Sequence, residues 1–324
     1  MNQTSESSLP TSITRRHALR RAAGLAALGV AALARTPSLG AAEAKGPSVT
    51  KGRIKQSIVE WCYTSCGEKW SMERLCQITK GLGCTSIELL PAKFYPLLKQ
   101  NGLTCAIGQI NMDPDPPFLK GFNNPDHWPR LLKATTDAID AATTIGCSNV
   151  ICFTGYSAKN PNDPKSKHIG PEKGAKNCVE GLKKIIGYAE KKNVTLCMEM
   201  LNTREGSHPM KGHPGYQGDH VDYCIDICKR IGSPRMKLLF DIYHVQIQDG
   251  DVIRRLHQNK DYIGHVHVAG NPGRGELDMK QEINFPPIMQ ALLDIGYKGY
   301  VGQEFIPTRD PLQGLQEAVA LCDV

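Results

Sequence analysis

Short apolar runs recur along the chain, separated by stretches long enough to form helices. Eight of them read as strands: Lys55–Glu60, Thr85–Leu90, Thr104–Gln109, Asn149–Thr154, Val194–Met200, Lys237–Ile242, Tyr262–Val268 and Tyr300–Phe305. Between them, apolar residues return every third or fourth position. Leu131, Ala134, Ala138, Ala141 and Ala142 do so, as do Val179, Leu182, Ile185, Ile186 and Ala189, and then Ile288, Leu292 and Leu293. That spacing gives a helix one buried face. Gly83, Gly146, Gly232 and Gly296 each follow such a run, at the place where a left-handed residue ends a helix at little cost. Eight alternations over roughly 270 residues predict an α/β fold, specifically a (β/α)8 TIM barrel. A doubly wound open sheet is the alternative, but no glycine-rich phosphate fingerprint follows the first strand.

The first 44 of the 324 residues break this rhythm. Paired arginines, Arg15 and Arg16, precede an apolar stretch from Ala22 to Ala34, and a small-residue segment ends in Ala42-Glu43-Ala44. A basic region, a short apolar region and an A-x-A site describe a signal peptide, here of the twin-arginine type, which is read by export machinery and is not an anchor. The apolar run is short for a membrane span. The expected organisation is therefore a signal peptide over 1–44, a polar lead-in over 45–52 and a single barrel over 53–324, with a periplasmic location and no stable membrane anchor. Taking away the five arginines and two glutamates of the signal leaves 34 basic against 30 acidic residues, a net charge of +4. Such a small surplus, without basic runs, argues against a nucleic-acid partner.

Twelve cysteines, all beyond residue 60, raise the question of disulfides. Cys84, Cys105, Cys152 and Cys197 fall in or beside strands, where cysteine acts as a small buried hydrophobe. The pairs Cys62/Cys66 and Cys224/Cys228 are four apart and lack a zinc-knuckle pattern. Structural thiols are expected, since a chain of this size does not need covalent staples.

In a barrel the active site lies at the C-terminal ends of the strands. The polar residues at those ends are Glu60, Glu88, Gln109, Thr154, Glu199, Asp241, His267 and Glu304. The last four would bring three carboxylates and an imidazole to one place, a set that suits a divalent cation. Any one of them could instead cap a helix, but four coinciding positions favour a site. His265, which alternates with His267, is expected on the opposite side of the strand as a packed or hydrogen-bonded histidine. His208, His213 and His220 read as a solvated loop. Glu60 and Glu88 are candidates to reach the pocket, Glu276 and Glu282 to shape the seventh loop, and Trp61 and Phe118 to wall the pocket or pack in the core.

Several ordered segments carry a family resemblance: Glu199-x-x-Asn202-Thr203-Arg204, Asp241-x-x-His244-x-Gln246, Gly264-x-x-His267, Pro272-x-Arg274, Glu282-x-Asn284 and Gly296-x-x-Gly299-x-x-Gly302-x-Glu304. From about Ile54 to the C-terminus the chain resembles the xylose isomerase-like sugar isomerases and epimerases, most closely the hydroxypyruvate isomerases. The resemblance implies one divalent metal ion (Mg, Mn, Zn or Co) held by Glu199, Asp241, His267 and Glu304, with Glu199 and Glu304 also transferring protons. It places His244, Arg274, Asn202 and Gln109 on the substrate. Arg274 would suit a planar carboxylate, because its guanidinium can form two parallel bonds. The implied reaction is isomerisation of a small hydroxy-keto acid through an enediolate, as in hydroxypyruvate to tartronate semialdehyde. His267 is a departure: hydroxypyruvate isomerases have glutamine there, whereas ketose 3-epimerases have histidine. Met200 stands where proline is usual, and residues 206–212 form an insertion. The alternatives are accordingly a ketose 3-epimerase, an aldose–ketose isomerase, or a non-catalytic periplasmic sugar-binding protein. A nuclease of the same barrel class would need extra histidines after the second and third strands, where the chain reads Glu88-Leu-Leu and Gln109-Ile-Asn. The oligomeric state, homo-oligomer included, is left open.

Overall fold

The computed structural model describes residues 46–163, 165–207 and 210–324, so the candidate signal over 1–44 and His208 lie outside the described residues. Seven strands form one parallel sheet: β1 (Lys55–Val59), β2 (Ser86–Glu88), β3 (Asn149–Phe153), β4 (Thr195–Glu199), β5 (Met236–Asp241), β6 (Ile263–Val268) and β7 (Tyr300–Gln303), in the order β2-β1-β7-β6-β5-β4-β3. Helices cross between strands and cover the outside, as parallel pairing requires.

The expected third strand, Thr104–Gln109, is not a regular strand. It nevertheless closes the ring between β2 and β3. Ile87 N and Leu89 N donate to the Thr104 and Ile107 carbonyls, both at 3.1 Å, while Gly108 N donates to Asn149 O and Ile151 N to Gly108 O, both at 2.9 Å. Between these bonds the backbone bends, and Asn149 Nδ2 donates to the Ala106 carbonyl at 3.1 Å, a carbonyl that an ordinary ladder would have used. The barrel is therefore complete, with one irregular stave.

The helix over Trp128–Ile145 buries Leu131, Ala134, Ala138 and Ala142 as the spacing predicts, and Gly146 ends it at φ 71°. The helix over Val221–Ile231 ends the same way at Gly232, φ 77°. The run from Val179 to Ala189 is not one helix but two, Pro171–Lys183 and Ile186–Lys191. Two glycines, Gly181 and Gly187, flank the break and weaken the helix there. Gly181 has a packing reason, since a Cβ would sit 2.7 Å from Trp128 Nε1.

The polar lead-in is tied to the far end of the chain. Asp323 accepts from the amides of Thr50, Lys51 and Gly52 at 2.6, 2.6 and 2.8 Å. All twelve cysteines are free thiols and eleven are buried. Among the described residues no helix is long and apolar enough to cross a membrane.

Candidate metal centre and pocket

Parallel pairing places the candidate residues on one rim. Glu199 ends β4 and Asp241 ends β5, Asp241 pairs in register with His267 on β6, and Glu304 follows β7 with its amide bonded to Val268 O at 2.9 Å. One ligand atom from each of Glu199, Asp241, His267 and Glu304 lies within 4.8 Å of the others, and all four residues are buried. Glu199 Oε1, Asp241 Oδ2, His267 Nδ1 and Glu304 Oε2 make ion-pair contacts with one another and with Arg274 and His244. These four atoms face one another, and three oxygens with one imidazole nitrogen make a donor set suited to a divalent cation.

Asp241 does two things at once. Its Oδ1 accepts from Tyr243 N at 2.8 Å and His244 N at 3.3 Å, starting the helix over Ile242–Gln248, while Oδ2 is left for the cluster. The helix cap fixes the direction in which the free oxygen points.

The two glutamates stand in opposite electrical settings. Burial pushes the Glu199 carboxyl up to about 7, the Glu304 carboxylate adds to this and His267 partly offsets it. Burial likewise raises Asp241 to about 6, against the pull of Arg274. Glu304 is also buried, but Arg274 and His267 outweigh that and hold it well below the usual carboxylate range. The contacts are direct: Arg274 Nη2 at 2.7 Å and His267 Nδ1 at 2.8 Å from Oε2, with Trp61 Nε1 donating to Oε1 at 3.2 Å. Burial opposes charge on His267, yet Glu304, Glu199 and Glu88 together raise it well above the ordinary imidazole value.

Arg274 is 2% exposed and lies against the rings of Trp61 and Tyr243, 5.4 and 5.7 Å from their centroids. Its Nη1 donates to the Met210 carbonyl and its Nη2 also approaches Asp241 Oδ2 at 3.6 Å. The residue sits at φ 55°, as Leu89 does at φ 52°. Left-handed backbone at a non-glycine costs about 1–3 kcal/mol, a strain that collects at sites where surroundings enforce it.

His244 is fully buried and its pKa is driven well below normal by burial and then by Arg274. Its Nδ1 accepts from Asn202 Nδ2 at 2.7 Å and Asn202 N at 3.2 Å, so in the neutral ring Nε2 carries the proton. That Nε2 has no partner and lies 3.7 Å from Asp241 Oδ2. It is a donor aimed at the cluster. Asn202 is placed differently from the substrate-contact role expected of it. Its Nδ2 also bonds Lys211 O at 2.9 Å and its Oδ1 accepts from Glu205 N at 3.0 Å, so both ends of the amide hold His244 and the loop.

A cavity of about 350 Å³ opens onto Glu199, Arg274 and Glu304. Gln109 lines it as expected, and Trp61 and Phe118 wall it along with Leu89, Phe153 and Leu201. Most of the lining is apolar, which is ordinary for a small-molecule site.

Three expectations are corrected. His213 is not in a solvated loop: it is 2% exposed, lines the cavity and packs against Phe118 with ring centroids 4.4 Å apart. Burial, then Arg274, lowers it to about 3, so it is neutral. Nothing in its Pro- and Gly-rich neighbourhood signals this; a loop folded back over the barrel mouth buries it. His220 remains half exposed, beside Asp249. His265 does not point away from His267, because residues two apart on a strand share a face. Both rings reach Glu88 Oε1 at 2.8 Å from Nε2. Glu88 is thus inside the barrel below the cluster, where His265 and His267 pull it down to about 2 against the effect of burial. Glu60 instead bonds Thr64 Oγ1 at 2.8 Å and does not line the cavity. Glu276 ties the loops after β6 and β7 together by accepting from Thr308 N at 2.7 Å and Arg309 N at 3.2 Å. Glu282 accepts from Asn271 Nδ2 at 2.6 Å.

Residues 72–323 match the family described as xylose isomerase-like TIM barrel. The 2-oxo-tetronate isomerase of Cupriavidus necator is 35% identical over 137 residues, which is 42% of this chain and 50% of that protein. Hydroxypyruvate isomerase of Escherichia coli is 27% identical over 179 residues, 55% of this chain and 63% of that protein. The chain thus spans between 50% and 63% of the length of these two relatives. The crystal structure of the 3-keto-D-glucoside 4-epimerase from E. coli, apo form, superposes with a TM-score of 0.66 at 17% identity, covering 83% of this chain and 99% of that one. At that identity the likeness is one of fold.

Proposed function

The chain belongs to the xylose isomerase-like TIM-barrel family, and from that premise we propose that it is a metal-dependent isomerase moving a proton between adjacent carbons of an α-hydroxycarbonyl compound. The observation that carries this reading is the convergence of four buried residues, Glu199, Asp241, His267 and Glu304, each offering a ligand atom within 4.8 Å of the others. Three carboxylates crowded together in a buried site repel one another, and one divalent ion held by all four residues would offset that charge. Mg, Mn, Zn and Co all suit these donors. When bound, such an ion polarises neighbouring carbonyl and hydroxyl oxygens of a ligand and so acidifies the C–H between them.

The chain's own groups do the rest. Glu304, kept ionised by Arg274 and His267, accepts the proton from carbon. Glu199, on another strand of the same rim, holds or returns one. His244 donates Nε2–H to a substrate oxygen, and Arg274 fixes both Glu304 and the ligand's orientation. The apolar wall excludes water.

The names of the relatives, hydroxypyruvate isomerase and 2-oxo-tetronate isomerase, support a small hydroxy-keto acid as substrate. A neutral ketose and a 3-epimerase outcome form the second reading. The specific observation behind it is that Arg274 is already engaged by Glu304 and the Met210 carbonyl, which leaves less of its fork for a substrate carboxylate. Purified protein with Mn²⁺ in D₂O, given hydroxypyruvate and a panel of ketoses, separates the two. Deuterium at C2 of tartronate semialdehyde formed from hydroxypyruvate supports the first, and deuterium at C3 of a ketose with inversion supports the second. Bound metal without turnover of any of them defeats both, and leaves a binding protein. The reading also includes export through the twin-arginine route, tested by fractionating cells that carry R15K/R16K; unchanged periplasmic delivery would remove that part.

A further inference from the structure

We propose that Glu88 is a positioning residue for the cluster, holding the His267 ring from below so that Nδ1 is the atom offered to a cation. The inference rests on the metal reading above and adds to it a residue from the other side of the barrel. Glu88 ends β2, in register with Val59 of β1, whereas the four cluster residues come from β4 to β7. Glu88, His265 and His267 are each 0% exposed.

The bonding pattern assigns the protons. Glu88 Oε1 lies 2.8 Å from Nε2 of both histidines. A carboxylate oxygen shared at hydrogen-bond distance by two imidazole nitrogens accepts from both, which puts hydrogen on both Nε2 atoms. Nδ1 is then the one ring nitrogen of His267 left to face Glu304 Oε2 at 2.8 Å and Glu199 Oε1 at 3.6 Å. With Nε2 held, the ring can neither flip nor change tautomer without breaking a buried, charge-assisted bond.

A second observation points the same way. Gly302 of β7 pairs with His267, and a Cβ there would lie 2.3 Å from Glu88 Oε1 and 2.8 Å from His267 Cδ2. Its backbone is not among the positive-φ residues, so no turn calls for glycine. The absent side chain makes room for this carboxylate against this ring.

The same three side chains could hold a cation of their own, since their ligand atoms are close and Glu88 Oε2 and His265 Nδ1 are unpartnered. Their 2.8 Å spacing is that of hydrogen bonds, and the experiment makes the alternative visible. Metal-free full chain, Glu88→Gln and Glu88→Leu are titrated with Co²⁺ by calorimetry and visible absorption, with thermal unfolding of each metal-free sample as the check on folding. The isosteric Gln variant keeps the interior filled. The expected result is one Co²⁺ per wild-type chain, with affinity about 10-fold weaker in Gln and about 100-fold weaker in Leu, and shifted ligand-field bands. An unchanged affinity and spectrum in folded variants overturns the proposal while leaving the metal site standing. Two Co²⁺ per wild-type chain falling to one in the variants also overturns it, by making Glu88 a ligand. No Co²⁺ bound to the wild type removes this proposal and the metal reading together.

Discussion

On one side of the barrel, β4 to β7 pair as parallel ladders and end in Glu199, Asp241, His267 and Glu304; on the other, the bent segment over 104–108 closes the ring and Leu89, Phe118 and Phe153 face the cavity. The first wall carries the charged cluster, the second carries shape. Continuous ladders, with one register shift at Leu238–Leu239 between β5 and β6, suit the first task, because ligand atoms must be held to within about 0.5 Å. An irregular stave and its loops suit the second, because a cavity's outline tolerates adjustment. Substitutions should therefore separate: chemistry lost on one wall, preference altered on the other.

The largest effect is expected from the polar wall. Glu304→Gln keeps the size of the side chain but removes the base and a ligand charge, and turnover in the deuterium assay should fall about 10²–10⁴-fold. A variant retaining most of its activity would move the base elsewhere. Next comes stability without metal. Glu199 and Asp241 have folded-state pKa values raised to about 7 and about 6. The stability such raised groups contribute is fully present below their ordinary values near 4 and is lost as pH rises through the folded values. The metal-free protein should thus weaken between about pH 4 and pH 7 by something on the order of 5 kcal/mol. Glu199→Gln should flatten that slope, and saturating Mn²⁺ should restore the wild type at pH 8. Calorimetric melting across pH decides it, and an equal slope in the Gln variant would exclude Glu199 as the cause. Glu88, lowered to about 2, acts in the opposite sense and in a separate window, its stability being lost below about pH 4.

On the apolar wall the effects shrink. Phe118→Ala removes the ring packed on His213, Phe153 and Tyr156. KM should rise about 10-fold with kcat little changed, from a loss near 1–1.5 kcal/mol. An equal fall in kcat would mean that this wall also shapes the transition state. The smallest change is Trp61→Phe, which deletes the Nε1 bond to Glu304 but keeps a ring beside Arg274. About 1 kcal/mol, or a fivefold drop in kcat/KM, is expected.

The two walls also differed in how far they could be read in advance. The strands of the polar wall are short apolar runs with one polar residue at the C-terminal end, and parallel topology turns that repeated position into a shared rim. The bent stave read as a strand because Thr104–Gln109 is apolar enough. Its bend is accompanied by a bond from Asn149 Nδ2 to the Ala106 carbonyl, made by a residue far along the chain. Loop histidines defeated local reading for the same reason, since burial of His213 comes from folding back over the mouth. His265 is a different matter: the two-residue period of a strand already put it beside His267, and that geometry was available in the sequence.

By itself, the sequence determined the alternation of strands and helices, the glycine-ended helices and which acidic and histidine residues stand at strand ends. These are short-range properties, set by periodicity and backbone preference. The tertiary structure alone decided that Glu88 lies under both histidines, that Asn202 holds His244 while Arg274 holds Glu304, and that Glu199 and Glu304 are driven in opposite directions. Each of these depends on distances between residues remote in the chain, and on burial, which is created only when the ring closes.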